Sequence, residues 1–95
     1  MSAFVYLLQC ADTSLYTGWT SDPTRRLLAH QAGTASKYTR ARLPIRLVYL
    51  EHCPDRGSAM RREAAIKKLS RVQKLALIKI ASASTQSFTP STMLK

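Results

Sequence analysis

Acidic residues are scarce in this sequence: five Asp and Glu stand against fifteen Lys and Arg, and the formal net charge is +10. An excess of this sign and size indicates a polyanionic partner, most often a nucleic acid, with an anionic membrane surface as the lesser alternative. Lys and Arg are absent from residues 1–24. We therefore expect the N-terminal part to form a neutral piece of the core and the later elements to carry the positive field.

Long hydrophobic runs and clustered cysteines are also missing. The longest apolar stretches are far too short to cross a bilayer. No basic leader precedes the first apolar run, so we expect no secretory signal and a cytoplasmic protein without a membrane partner. Cys10 and Cys53 lack metal-ligand spacing and are too few for a disulfide scaffold. We interpret both as buried or half-buried thiols, with a disulfide between them as the alternative.

The first third of the chain predicts a hairpin followed by a helix. Residues 4–10 are almost continuously apolar, which indicates a strand covered on both faces, and a short polar turn leads to a second strand over residues 15–20. Asp22 can cap a helix that begins with a proline and runs to about residue 32. Gly33 then ends this helix.

The remaining elements are predicted from similar signals. Residues 33–44 form a polar and basic loop, and residues 45–50 alternate weakly as a third strand. Asp55 can cap a second helix over about residues 56–69. A capping box at Ser70 and Gln73 starts a third helix over about residues 71–81. The order β-β-α-β-α-α predicts a small α/β domain over residues 1–81, with a three-stranded antiparallel sheet flanked by helices. We expect the polar tail, residues 82–95, to be disordered or loosely docked.

Four side chains in these first elements could act on a phosphodiester. Tyr6 and Tyr16 lie ten residues apart in the two strands of the hairpin, and Arg26 and His30 share one face of the following helix because they are four residues apart. A guanidinium can fork onto phosphate oxygens. A tyrosine could deprotonate water, but its unperturbed pKa is about 10. The site must therefore lower that pKa or pass the proton to His30.

With these residues in this order, the chain resembles a GIY-YIG nuclease domain in its small single-domain bacterial form, over roughly residues 4–80. The triplets at residues 4–6 and 16–18 stand where the family has its two signature triplets, and Arg26 and His30 match its arginine and histidine. Glu63 matches the metal-binding glutamate of the family. The resemblance implies a metal-dependent endonuclease and five catalytic residues: Tyr6, Tyr16, Arg26, His30 and Glu63.

The resemblance also implies a cofactor, which the acid content constrains. One carboxylate, that of Glu63, cannot build a full metal cage, but it can hold one Mg²⁺ or Mn²⁺ that keeps several waters and takes phosphate oxygens as further ligands. We favour Tyr6 as the base and Tyr16 as the group that orients water or phosphate, although the reverse assignment stays open. Several basic and aromatic side chains further along are candidate nucleic-acid contacts: Lys37, Tyr38, Arg40, Arg42 and Lys67.

Each of these residues also has a purely structural interpretation. Both tyrosines could be sheet aromatics, and Arg26 and His30 could be solvated helix residues. Glu63 could simply pair with Lys67 at the i, i+4 spacing. The loop cations and Tyr38 could be solvated.

Three departures from the family pattern bear on activity. Phe4 replaces the first glycine of the family, Trp19 stands at a position that is often polar, and the sequence contains no asparagine, for which Gln73 is the nearest substitute. We expect no added DNA-reading domain, because nothing in this sequence is long enough to be one.

The leading hypothesis is an endonuclease that cleaves DNA with low sequence specificity in repair or processing, with a protein partner for targeting as a further interpretation. The first alternative is a nucleic-acid-binding module that has lost turnover. The second is a basic accessory protein that docks through its last helix.

Overall fold

The α/β order expected from the sequence is confirmed in the computed structural model, which describes residues 2–86. One short helix is added inside the predicted loop. The elements are β1 (Ala3–Gln9), β2 (Leu15–Thr20), α1 (Pro23–Gln31), α2 (Lys37–Arg40), β3 (Arg46–Cys53), α3 (Arg56–Lys67) and α4 (Arg71–Gln86).

Two element ends differ from the prediction by more than two residues. β3 continues to Cys53 instead of ending at residue 50, because its pairing with β1 extends to the Ala3–Cys53 pair. α4 continues to Gln86, so the predicted domain limit at residue 81 falls inside a helix. The rest of the predicted tail, residues 87–95, lies outside the described residues.

The sheet has the order β2-β1-β3, and both pairings are antiparallel. β1 is therefore the central strand, which explains why its sequence is apolar almost throughout. Because alternate side chains of a strand point to opposite faces, β1 feeds two separate clusters. Val5 and Leu7 pack against the side that carries α3, together with Ala59 and Ile66.

The second cluster contains Tyr6 and lies on the opposite face of β1. Tyr6 and Leu8 pack there with Cys10 and Ile45, and the partly buried Leu27 of α1 packs against this cluster. Tyr6 is only 4% exposed. The phenol of Tyr6 is thus held in a packed environment beneath α1, in one place and orientation.

The two predicted aspartate caps are present, and they fix where the site-bearing helices α1 and α3 begin. The Asp22 side chain accepts a hydrogen bond from the Arg25 amide at 3.2 Å, and the Asp55 side chain accepts one from the Ser58 amide at 2.7 Å. A side-chain cap of this kind stabilises a helix by about 1 kcal/mol. Gly33 has a φ of +80°, which suits the residue after a helix end.

The predicted capping box of α4 is also confirmed. The Ser70 amide donates to the Gln73 side chain at 2.9 Å, and the Gln73 amide donates to the Ser70 hydroxyl at 3.2 Å. Both cysteines are buried and free, so the interpretation as thiols holds. No helix within residues 2–86 combines the length and apolar character that a membrane crossing needs.

Candidate active site

A cleft of about 380 Å³ lies along β2, which is an edge strand of the sheet. Four of the five side chains predicted to be catalytic line this cleft: Tyr6, Tyr16, Arg26 and Glu63. Each of the four comes from a different element, namely β1, β2, α1 and α3, so only the folded chain brings them together. The cleft is completed by Gly18, Trp19, Thr20, Ser21 and Arg56.

The fifth predicted residue, His30, lies behind the cleft instead of lining it. Its side chain is fully buried, and its Nε2 atom is 2.8 Å from the hydroxyl oxygen of Tyr6. The His30 ring also meets the Tyr16 ring edge-on, with 5.2 Å between centroids. The interpretation of His30 as a solvated helix residue is therefore wrong. It is a buried partner of Tyr6.

The hydrogen bonds of His30 continue to a residue that sequence reasoning missed. The Nδ1 atom of His30 is 2.8 Å from the hydroxyl oxygen of Thr39, which is fully buried in α2. Ser36 caps α2 and contacts the same Thr39 hydroxyl at 3.0 Å. Because α2 is a single turn inside a polar loop, no periodicity in the sequence marks Thr39. Its unusually complete burial is visible only in the fold.

Burial decides the protonation of both members of the buried pair. It raises the pKa of Tyr6 well above its usual value; the nearby Tyr16 raises it further, and Arg26 only partly opposes this. Burial and the positive charge of Arg26 lower the pKa of His30. The resting pair is therefore a neutral phenol and a neutral imidazole near pH 7. One way to activate Tyr6 was a lowering of its pKa by Arg26. Arg26 does not bring that pKa down to working pH, so this way of activating Tyr6 fails.

Gly18 explains why the second triplet needs a glycine at its end. A Cβ atom on Gly18 would lie 2.5 Å from the Tyr6 hydroxyl oxygen and 2.6 Å from the ring carbon that bears it. Gly18 is also the partner of Tyr6 in the β1–β2 pairing. The missing side chain thus makes the space that the end of the phenol ring occupies.

Among the residues that the structure describes, Glu63 is the only carboxylate that lines the cleft. It pairs with Lys67 across 3.7 Å on the surface of α3. The pairing of Glu63 with Lys67, which was its purely structural interpretation, is therefore present. Glu63 nevertheless also lines the cleft. Within residues 2–86 no group of three or more His, Cys, Asp or Glu side chains could enclose a metal ion. A lone carboxylate beside open space fits a Mg²⁺ ion that keeps most of its water and takes phosphate oxygens.

Arg56 is a cleft residue that sequence reasoning missed. It is the first residue of α3, and its guanidinium lies 5.6 Å from the centre of the Trp19 ring. The cleft thus has a second guanidinium besides Arg26. The sequence contains a usable signal, because Arg56 is seven residues before Glu63 and two turns of a helix return to the same face.

A second missed group ties α3 to the sheet. The Nε atom of Arg62 lies 3.0 Å from both carboxylate oxygens of Glu51, and Tyr49 donates its hydroxyl to the same carboxylate. Glu51 and Tyr49 belong to β3. Since Arg62 precedes Glu63 directly, this cluster sets the position of the Glu63 backbone.

None of the five predicted nucleic-acid contacts lines the cleft, and one of them, Lys67, is the partner of Glu63. Arg42 covers the Tyr38 ring at 3.8 Å, forms an ion pair with Asp12 at 3.1 Å and donates to the Tyr38 carbonyl oxygen. The Tyr38 ring in turn lies 5.9 Å from that of Tyr16. Tyr38 and Arg42 are thus engaged in holding α2 against the site.

The other loop cations, Lys37 and Arg40, are exposed on α2. Gln73, the nearest substitute for the family asparagine, is used in the cap of α4 and does not line the cleft. No asparagine or glutamine is therefore among the described residues that line the cleft.

Comparison with known proteins identifies the family of this chain. A model of the GIY-YIG catalytic domain matches residues 2–76. A UPF0213 protein from Streptococcus sanguinis is 54% identical over 77 residues, which cover 81% of this chain and 88% of that protein. One from Clostridium perfringens is 52% identical over 75 residues, covering 79% of this chain and 81% of the relative.

Solved structures give the same relationship. The solution NMR structure of a UPF0213 protein from Bacillus halodurans has a TM-score of 0.60 and 39% identity, and the match covers 99% of this chain and 100% of that one. A solution NMR structure of a protein from E. faecalis has a TM-score of 0.58 and 36% identity, covering 100% and 94%. The chain belongs to the GIY-YIG catalytic domain family, and its relatives include the small UPF0213 proteins.

Proposed function

We propose that this protein is a divalent-metal-dependent endonuclease that cleaves phosphodiester bonds of DNA with little sequence preference. The family is one of nuclease domains, which supports hydrolysis of a nucleic acid. The observation that carries the proposal is the shared cleft of Tyr6, Tyr16, Arg26 and Glu63, with His30 bonded to the Tyr6 hydroxyl behind it.

Tyr6 and His30 are suited to move one proton. Water gives its proton to the Tyr6 oxygen as it attacks phosphorus, while Tyr6 passes its own proton to Nε2 of His30. The transfer ends with a neutral Tyr6 phenol and a protonated His30. Tyr6 therefore does not have to be a phenolate before the reaction begins. The route starts from the neutral forms that burial favours in both groups, and formation of the buried imidazolium is its energetically costly step. The leaving oxygen takes a proton from solvent.

Arg26 directly, and Glu63 through a bound cation, would offset the negative charge of the phosphate. Arg26 can donate two parallel hydrogen bonds to phosphate oxygens, which fixes the group for attack. Glu63 would hold one Mg²⁺ or Mn²⁺, and that ion would supply positive charge at the phosphate oxygens. Tyr16 lines the cleft beside Tyr6, with 6.5 Å between ring centroids, and we assign it to orienting the water or the phosphate.

The substrate assignment depends on charge. The net charge is +10 and the cleft carries two guanidinium groups but one carboxylate, so it suits a polyanionic strand. Contacts to phosphate do not read base sequence, which accounts for the low specificity. Lys37 and Arg40 extend the basic surface at α2. We assign the protein to DNA repair or processing in the cytoplasm, where a protein partner would select its targets.

The alternative function is a nucleic-acid-binding module on the same scaffold. It is favoured by the pairing of Glu63 with Lys67, which competes with a cation, and by the absence of an asparagine counterpart in the cleft. Such a module would bind DNA with the same salt dependence and leave it intact.

The two functions are separated by incubating supercoiled plasmid with the protein and Mg²⁺ or Mn²⁺. We expect nicking that falls about 100-fold or more in Arg26→Ala and is unchanged in Arg61→Ala. Arg61 is a matched control because it is exposed on α3, does not line the cleft and donates a hydrogen bond to the Ser58 hydroxyl at 3.4 Å. Binding without nicking would favour the module, and equal nicking by Arg26→Ala would contradict the site.

A further inference from the structure

The hydroxyl of Thr39 is placed to decide which nitrogen of His30 carries the proton. A neutral imidazole has one N–H and one bare nitrogen, and the two tautomers differ in which is which. Nδ1 of His30 faces Thr39 at 2.8 Å, and Nε2 faces Tyr6 at 2.8 Å. The ring is fully buried, so these two hydroxyls are its hydrogen-bond partners among the described residues.

The contacts of Thr39 and Ser36 allow the protons to be counted. The Thr39 hydroxyl oxygen lies 3.4 Å from the Ser36 carbonyl oxygen, 3.0 Å from the Ser36 hydroxyl and 2.8 Å from Nδ1 of His30. A carbonyl oxygen cannot donate, so that contact is a hydrogen bond only if Thr39 gives it its single proton. The other two partners must then donate to Thr39, whose oxygen has two lone pairs.

Ser36 is free to donate in this arrangement. Its hydroxyl oxygen accepts the hydrogen bond from the Thr39 amide at 3.1 Å, which leaves the Ser36 proton for the Thr39 oxygen. With Nδ1–H as the other donor, all four contacts around Thr39 are satisfied together. The opposite tautomer would need the Thr39 proton for Nδ1, and the contact to the Ser36 carbonyl oxygen would be lost.

We propose that Thr39, supported by Ser36, is a positioning residue that holds His30 as the Nδ1–H tautomer, so that the bare Nε2 accepts the proton of Tyr6. This inference rests on the proposed function and names the part of the site that gives Tyr6 its direction of proton transfer. Thr39 touches neither the cleft nor the reacting atoms.

The tautomer determines what Tyr6 can do. With Nε2 bare, the Tyr6 hydroxyl donates to His30 and turns a lone pair toward the cleft, as a base requires. With Nε2 protonated, Tyr6 would accept from His30 and direct its own proton into the cleft, as an acid does. His30 Nε2 is the only hydrogen-bond partner of the Tyr6 hydroxyl within residues 2–86, so the base arrangement is the one that leaves no Tyr6 proton without a protein acceptor.

Contacts outside the site hold Thr39 in place. α2 is one turn long, so it has little stability of its own. Arg42 fastens it by the ion pair with Asp12 in the β1–β2 turn and by its contact with Tyr38. This bracing gives a function to Tyr38 and Arg42 other than nucleic-acid contact.

The test is a long-range ¹H–¹⁵N NMR spectrum of the full chain labelled at histidine, which distinguishes Nδ1–H from Nε2–H directly. The chain has two histidines, so a His52→Gln variant assigns the signals. We expect His30 to be Nδ1–H in the wild type. A wild-type signal for Nε2–H would overturn the inference, and this outcome requires no variant at position 39.

Three variants then connect the tautomer with the rate. Thr39→Val keeps the shape but removes the hydroxyl, and we expect loss of the single Nδ1–H state and a fall in plasmid nicking of about 10–100-fold. Thr39→Ser restores the hydroxyl and should restore both readouts, whereas a residue needed only for packing would not be rescued in this way. Ser36→Ala should weaken the Nδ1–H preference.

Unchanged tautomer and rate in Thr39→Val would also overturn the inference. If the wild type is Nδ1–H but does not nick DNA, the proposed function fails and the positioning role of Thr39 stands as a structural fact. If the wild type nicks DNA with His30 as Nε2–H, the function stands and the role of Thr39 fails.

Discussion

The hydroxyl oxygen of Tyr6 lies 2.8 Å from Nε2 of His30, and both side chains are buried. Tyr6 lines the cleft together with Arg26 and Glu63, and His30 lies behind it. A buried phenol paired with a buried imidazole is neutral at rest, because burial disfavours the charged form of each. The pair can nevertheless pass a proton inward from the cleft.

Tyr6→Phe should lower nicking about 100-fold or more, because general base catalysis of this kind contributes about that much. Tyr16→Phe should lower it less, since Tyr16 has no hydrogen bond to His30. Single-turnover rates at saturating protein measure both. A larger loss in Tyr16→Phe than in Tyr6→Phe would reverse the assignment of the base.

Gly18→Ala should both destabilise the protein and impair cleavage. The added Cβ would lie 2.5 Å from the Tyr6 hydroxyl oxygen, so the ring must move off His30, at a cost of about 1–3 kcal/mol in the free energy of unfolding. Gly57→Ala is the control. Its Cβ would meet its nearest neighbour at 3.4 Å, within a helix, so stability should be unchanged or higher by up to about 1 kcal/mol. Urea unfolding distinguishes them, and equal stabilities would contradict the close approach.

Stability should fall as pH drops through the ordinary pKa of histidine. The pKa of His30 is lowered from 6.5 in the folded chain, so below about pH 6.5 the unfolded chain takes up a proton that the folded one does not. The free energy of unfolding therefore decreases as the pH falls. The contribution of His30 to it is fully present above about pH 6.5. His30→Gln removes this contribution, so its stability profile between about pH 5 and 7 should be flatter than that of the wild type. Parallel profiles in urea unfolding would contradict the buried neutral imidazole.

Tyr6 produces the opposite slope at high pH. Its pKa is raised from 10.0, so above about pH 10 the unfolded chain loses a proton that the folded chain keeps, and stability falls. Tyr6→Phe should show a smaller alkaline loss, and the part that remains is expected from Tyr49 and Cys53, whose pKa values are also raised by burial. A loss of equal size in the variant would assign it to another group.

Arg56→Ala should weaken DNA binding by removing one phosphate contact at the edge of the cleft. The slope of log affinity against log salt should become shallower by about one unit. Arg61→Ala, which changes the same charge on the same helix outside the cleft, should leave the slope close to that of the wild type. Identical slopes for the two variants would place Arg56 outside the binding path.

Much of this structure could be predicted because its signals are local. Asp22 and Asp55 mark helix starts within three residues of the amides that they cap, and the hairpin follows from two β-prone runs joined by a short polar turn. The four cleft residues were found by their order and spacing, which the family pattern supplied. Periodicity alone did not single out Glu63.

The missed contacts join positions with no local relation in the chain. Thr39 meets His30 across a loop, Arg42 reaches Asp12 over 30 residues, and Arg62 binds Glu51 from a different element. Polar side chains of this kind look solvated in a sequence, since only the fold shows which of them are buried together. The bracing of α2 by Tyr38 and Arg42 is hidden in the sequence for the same reason, and their assignment to nucleic-acid contact stays a prediction.

Plasmid nicking by the wild type and Glu63→Gln, measured against the concentration of Mg²⁺ or Mn²⁺, tests whether the cleft is a metal-assisted nuclease site. We expect a wild-type rate that rises with the metal and is abolished by EDTA, and a Glu63→Gln rate lower by about 100-fold or more at every concentration. Nicking that persists in EDTA, or that is equal in the two proteins, would contradict a metal-assisted site at Glu63.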